Sequence, residues 1–133
     1  GAVAAAALYH DASEILTGDM PTPIKYDNPV IRKAYKDVEA VAEEKLLHML
    51  PQEFRPVYAL ILHPDAETEQ LVKAADKLSA YIKCVEELKA GNNEFREAAA
   101  QTRTALEDYG LPEAAYFLET FLPSFSLTLD ELK

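Results

Sequence analysis

The stretch Leu71-Val72-Lys73-Ala74-Ala75-Asp76-Lys77-Leu78-Ser79-Ala80-Tyr81-Ile82-Lys83-Cys84-Val85 decides the fold class. Leu71, Ala75, Leu78, Ile82 and Val85 recur at alternating steps of four and three, the spacing of a core-facing helical stripe, with Asp76 at its border. The spacing predicts a long helix over residues 67–90, which Pro64-Asp65 separates from what precedes it and Gly91 closes. Outward from it the punctuation stays helical. Asn93 caps a helix to about Tyr109, Gly110 ends it, Pro112 starts one reaching Leu122, and 123–133 reads as a tail.

Toward the N-terminus, a helix over residues 29–50 shows Val30, Ala34, Val38, Val41 and Lys45-Leu46 on one face and stops at Pro51. Pro51 then opens a short third helix, and Phe54 to Leu62 is apolar enough to be buried. Alanines carry the first helix from Ala2 to Leu16, and Thr17-Gly18 supplies its stop. Asp19-Met20-Pro21-Thr22-Pro23 reads as a loop, since each proline lacks an amide donor and disfavours the α conformation before it. Gly1 leads straight into the alanines with no capping residue, so the natural chain is expected to begin further upstream. Ala4, Ala7 and Leu8 are then expected to be exposed. No internal repeat, low-complexity segment or strand-like alternation competes with this all-α reading.

The chain has 133 residues, a length suited to one domain or part of one, and its 49% hydrophobic and 27% charged residues predict a folded core. Thirteen basic against 23 acidic residues give a formal charge of −10, which leaves little for counterion-driven binding of duplex nucleic acid. An anionic small substrate stays compatible, because a bound divalent cation can reverse the field within a pocket. The apolar run Ala2–Leu8 is too short for a membrane span. Cys84 is the single cysteine, which rules out an internal disulfide and fits the cytoplasm. Mid-helix beside the stripe, it reads as a small buried hydrophobe.

Chemistry enters at His10-Asp11, an imidazole and a carboxylate side by side that can both reach one divalent cation, or else a polar pair on a solvated face. Glu14 follows four residues after His10 and three after Asp11, which on a regular helix puts all three on neighbouring positions of one face. A carboxylate beside a metal can take or give a proton. His48, at a helix end, and His63, beside Pro64, read as surface or capping residues.

The block His10-Asp11-Ala12-Ser13-Glu14-Ile15-Leu16-Thr17-Gly18-Asp19-Met20-Pro21-Thr22-Pro23-Ile24-Lys25-Tyr26 resembles the HD-domain bacterial 5′-deoxynucleotidases. Further matches in Leu71–Leu78, Tyr81–Leu88, Ala90–Phe95 and Pro123-Ser124-Phe125 carry the resemblance over nearly the whole chain. It implies an all-α HD-domain helical bundle over residues 1–133, here without its N-terminal segment, and release of phosphate from (deoxy)nucleoside 5′-monophosphates. The implied metal ligands are His10, Asp11 and Asp76, with Glu14 catalytic. The ion implied is Mn²⁺ or Co²⁺, with Mg²⁺ as an alternative.

Asp19, Met20, Pro21 and Thr22 carry over as substrate-binding positions, and Asp11 and Asp76 as substrate contacts too. A fourth ligand, an upstream histidine, and an Arg-Trp pair complete the family site. Residues 1–9 hold none of these, so this chain alone is expected to be inactive. A homodimer is a further expectation of the family. Two other readings stand beside this one: a nucleotide-binding regulatory HD module without catalysis, and a helical interaction protein using the stripe from Leu71 to Val85.

Overall fold

The computed structural model describes residues 1–25 and 27–132, with Tyr26 and Lys133 outside the described residues and Thr22 and Pro23 described by their backbone alone. Every regular element among the described residues is helical, as the spacing predicts. No helix among them is long and apolar enough to cross a membrane. The chain divides into two units, Gly1–Asp65 and the residues from Ala66 onward.

The first unit holds α1 (Ala2–Tyr9), α2 (Glu14–Thr17), α3 (Thr22–Lys25), α4 (Pro29–Met49) and α5 (Arg55–Leu62). α1 packs on α5, and α4 receives α2, α3 and α5. Tyr9 and Tyr58 meet edge to face, ring centroids 5.7 Å apart. In α1, Ala6 is buried, Ala7 half-buried, and Ala4 and Leu8 exposed. The first helix does not run unbroken to Leu16. At His10–Ser13 the amides bond three residues back (Ala12 to Tyr9, Glu14 to Asp11, Ile15 to Ala12, at 3.0–3.2 Å), so the helix tightens into 3₁₀-like turns before α2. Propensity alone could not show this, since alanine favours helix without specifying where a polar side chain will compete for its carbonyls.

Two proline readings need correction. A single helical turn starts at Thr22 with Pro23 inside it, because first-turn amides have no intrahelical partner for proline to forfeit. Pro51 opens a turn, Phe54 N–H to Pro51 O at 3.0 Å, and α5 begins only at Arg55 with Pro56 in its first turn. α5 is not buried as expected. Phe54, Val57 and Leu60 are exposed, while Tyr58, Ala59, Ile61 and Leu62 are half-buried.

α4 starts where Asn28 accepts the Ile31 amide at 2.9 Å ahead of Pro29. Its packed face is not the one predicted. Val30 is 77% exposed, Ala34, Val38, Val41 and Lys45 are exposed too, and only Leu46 of that set is half-buried. Ile31, Tyr35, Glu39, Ala42, Glu43 and Leu46 turn inward instead. One residue of offset rotates a helix by about 100°, and here the inward stripe includes carboxylates that have partners. Glu39 pairs with Lys25 at 2.9 Å, and Glu43 lies 3.7 Å from His63 Nδ1. Burial pushes the Glu43 carboxyl above the ordinary carboxylate range against the pull of His63.

The second unit holds α6 (Ala66–Lys89), a 3₁₀ turn (Asn93–Phe95), α7 (Arg96–Asp108), α8 (Pro112–Thr120) and α9 (Leu122–Phe125). The cap before the 3₁₀ turn is Asn92, whose side chain accepts the Glu94 amide, rather than Asn93. Gly91 and Gly110 close α6 and α7 at φ +89° and +61°, as their positions predict. Leu106, Leu118 and Leu122 form the core, with Leu78, Tyr81, Ile82, Val85 and Phe125 packed on it. The C-terminal half of the predicted stripe thus lies inside this unit and is not offered to a partner helix. Ala75 is exposed, and Cys84 is buried as expected.

The predicted tail begins as helix, because Pro123 sits in the first turn of α9. Beyond it Lys89 Nζ donates to the Leu127 carbonyl, and Glu131 accepts from both the amide and the hydroxyl of Thr128. Leu106 is 1% exposed. Leu106→Ala is therefore expected to cost about 2–5 kcal/mol in denaturant unfolding, the range for a truncated core leucine.

Candidate functional site

The 3₁₀-like turn after α1 holds His10 and Asp11, with Glu14 following at the start of α2. His10 Nδ1 lies 2.7 Å from the Ala7 carbonyl, the oxygen a continuing helix offers to the amide of Asp11. A carbonyl only accepts, so Nδ1 carries the proton and donates. Nε2 lies 3.1 Å from Asp11 Oδ2. The ring thus presents one nitrogen to a backbone carbonyl and the other to a carboxylate, so that Nε2 and Oδ2 can reach one cation together.

Two ligands at about 2.1 Å from one ion, roughly at right angles, stand about 3.0 Å apart. The pair therefore fits a divalent cation in donor type and in spacing. The Nδ1 bond to a backbone carbonyl also orients the ring, a support common to metal-binding histidines. Among the described residues, no group of three or more His, Cys, Asp or Glu is arranged to hold a metal ion.

Glu14, half-buried at the start of α2, collects negative charge around it. Partial burial, followed by the charges of Asp11 and Asp19, pushes its carboxyl above the ordinary carboxylate range; Lys25 opposes this and Glu39 adds to it. Turns of three residues stack Asp11 and Glu14 more closely than an α-helix would. Glu14 is thus set to hold or exchange a proton nearer neutrality than an exposed glutamate.

Comparison with known proteins decides the family. Residues 1–125 match the model described as 5′-deoxynucleotidase YfbR-like. A 5′-deoxynucleotidase of Vibrio parahaemolyticus is 53% identical over 133 residues, 98% of this chain and 69% of that protein. Those of Yersinia pseudotuberculosis and Erwinia tasmaniensis are 53% and 52% identical, again over 98% of this chain and over 68% and 67% of their own lengths. The chain belongs to the YfbR-like 5′-deoxynucleotidase family.

The first unit of this YfbR-like chain brings His10, Asp11 and Glu14 together, and Asp19 close enough to act on Glu14. Asp19 is exposed, Met20 half-buried and Pro21 exposed. Thr22 opens α3, and its side chain lies outside the described residues. Asp76 belongs to the second unit, exposed on α6. His48 and His63 sit at helix ends, exposed, His48 Nδ1 2.8 Å from the Glu44 carbonyl and His63 at the C-cap of α5, in keeping with surface and capping roles.

Sequence reasoning missed three residues that brace this segment. Tyr35 O–H donates to the Gly18 carbonyl at 2.8 Å, Lys25 pairs with Glu39, and Lys25 Nζ lies 4.5 Å from the centre of the Tyr35 ring. The available signal was the second α4 stripe, Ile31-Tyr35-Glu39-Ala42-Leu46, one residue out of phase with the apolar one.

Proposed function

We propose that this chain forms the greater part of a metal-dependent phosphohydrolase that releases phosphate from deoxynucleoside 5′-monophosphates. The observation that carries the reading is the His10–Asp11 pair at 3.1 Å with Glu14 beside it, in a chain whose relatives are named 5′-deoxynucleotidases. His10, Asp11 and Asp76 are proposed as ligands of a divalent cation, Mn²⁺ or Co²⁺ being favoured by the mixed imidazole and carboxylate set and Mg²⁺ the alternative. When bound, such an ion polarises the phosphate and acidifies water.

Phosphate monoesters hydrolyse extremely slowly in water, so the site must both activate a nucleophile and stabilise charge on the transferring group. Glu14 orients the attacking water and takes its proton as the water oxygen bonds to phosphorus and the bond to the 5′ oxygen breaks, and that proton then goes to the departing 5′ oxygen, leaving a deoxynucleoside and phosphate. Its raised proton affinity suits that exchange. Asp19, Met20, Pro21 and Thr22 hold the nucleotide, with Asp19 as the polar contact, and Asp11 and Asp76 also face the substrate. The same reading places residues 1–133 in a single HD domain of a cytoplasmic enzyme that forms a homodimer.

Phosphate release tests it, measured on the protein expressed from its complete reading frame with a deoxynucleoside 5′-monophosphate and added Mn²⁺ or Co²⁺. Steady turnover is expected. Saturable nucleotide binding without release would favour the regulatory module instead.

A further inference from the structure

The segment from Gly18 to Lys25 is fastened to α4 at both ends. At one end the Tyr35 hydroxyl donates to the Gly18 carbonyl at 2.8 Å. At the other, Lys25 Nζ meets Glu39 Oε1 at 2.9 Å, one helical turn further along α4, and lies over the Tyr35 ring. Tyr35 is buried, so its hydroxyl needs a partner. The Gly18 carbonyl, past the end of α2, also accepts from the Thr17 hydroxyl at 2.9 Å, so the Tyr35 bond ties it to α4 while Thr17 holds it to α2.

Because the peptide unit is planar, holding the Gly18 carbonyl also holds the amide of Asp19 and the direction in which the chain leaves it. Gly18 itself sits at φ +71°, where a side chain would be strained, so the turn into Asp19 draws on the glycine and on the two hydroxyls, of Thr17 and Tyr35, that hold its carbonyl. Between the two fastenings lie Asp19, Met20, Pro21 and Thr22.

We propose that Tyr35, supported by the Lys25–Glu39 pair, is a positioning residue that sets Asp19 and the following loop for the nucleotide. This rests on the reading that the loop contacts the nucleotide. Tyr35 bonds Gly18 and lies under Lys25, neither of them a proposed metal ligand. Its loss should therefore weaken substrate binding and leave the metal and the chemical step alone.

The test compares Tyr35→Phe, Glu39→Gln and Asp19→Ala in the protein expressed from its complete reading frame, reading kcat, KM, metal affinity by direct titration, and Tm. Tyr35→Phe keeps the ring and removes one hydrogen bond, so KM is expected to rise about 3–10-fold, with kcat and metal affinity unchanged. Glu39→Gln should also raise KM, by less and with metal affinity unchanged; kcat is compared only in Tyr35→Phe, because the Glu39 charge also acts on Glu14. Asp19→Ala should raise KM, and Tyr35→Phe should add little to it if Tyr35 acts through Asp19.

If Asp19→Ala raises KM while Tyr35→Phe does not, the positioning role is overturned and the substrate reading survives. An unchanged KM in Asp19→Ala overturns the loop contact itself, and the inference with it. Tyr35→Phe lowering metal affinity and kcat together would make Tyr35 a general scaffold residue, which also overturns the proposal.

Discussion

Glu14→Gln, in the protein expressed from its complete reading frame, is expected to lower turnover of a deoxynucleoside 5′-monophosphate about 10²–10⁴-fold, the usual contribution of a positioned acid or base. Glutamine keeps the size and hydrogen-bonding capacity of the side chain and removes its charge and basicity. The proposed ligands are untouched, so metal content and nucleotide binding should persist. The environment supports that separation: burial and the charges of Asp11 and Asp19 raise the proton affinity of Glu14, which a proton acceptor uses and a spectator does not. Metal content measured beside kcat reads the result. Loss of metal would make Glu14 a ligand or a scaffold residue, and an unchanged kcat would make it a bystander.

His10→Ala and Asp76→Ala are each expected to reduce metal affinity by about 100-fold or more, and turnover with it. Loss of an outer-shell partner alone typically costs about 10–100-fold, and a direct ligand should cost at least the upper end. For His10 the expectation rests on Nδ1 bonding the Ala7 carbonyl while Nε2 faces Asp11. For Asp76 it rests on the family match around Leu71–Leu78. Titration with Co²⁺, followed by its visible absorption, separates the two residues. Full Co²⁺ affinity in Asp76→Ala would remove Asp76 from the ligand set and leave His10 and Asp11 in it.

The helices were legible in the sequence wherever periodicity and punctuation agreed. α6 lies within a residue of its predicted ends because Pro64-Asp65 and Gly91 bracket a stripe whose half from Leu78 to Val85 reaches the core. Where two periodicities overlapped, the pattern misled. In α4 the valines suggested one face, while the packed face runs through Tyr35, Glu39 and Glu43, polar residues that qualify for burial only because Gly18, Lys25 and His63 meet them. Prolines misled similarly: Pro23 and Pro123 stand in first turns, where a missing amide costs nothing, and Pro51 opens a turn ahead of α5 and not the helix itself.

At the candidate site the spacing of His10, Asp11 and Glu14 was legible and the backbone that joins them was not. At the turn His10–Ser13 the imidazole of His10 meets the Ala7 carbonyl, a competition that helix propensity does not express. Helical spacing grouped His10, Asp11 and Glu14. It gave no sign that Asp19 acts on Glu14 from beyond Gly18, or that Tyr35 braces the turn between them.

Metal-dependent phosphate release tests the central claim most directly. The protein expressed from its complete reading frame is stripped with a chelator, assayed with a deoxynucleoside 5′-monophosphate, then assayed again after Mn²⁺ or Co²⁺ is restored. The expected result is no release from the stripped protein, recovery with the added ion, and no recovery in His10→Ala at the same ion concentration. Full turnover by the stripped protein, or none under any ion, would contradict it.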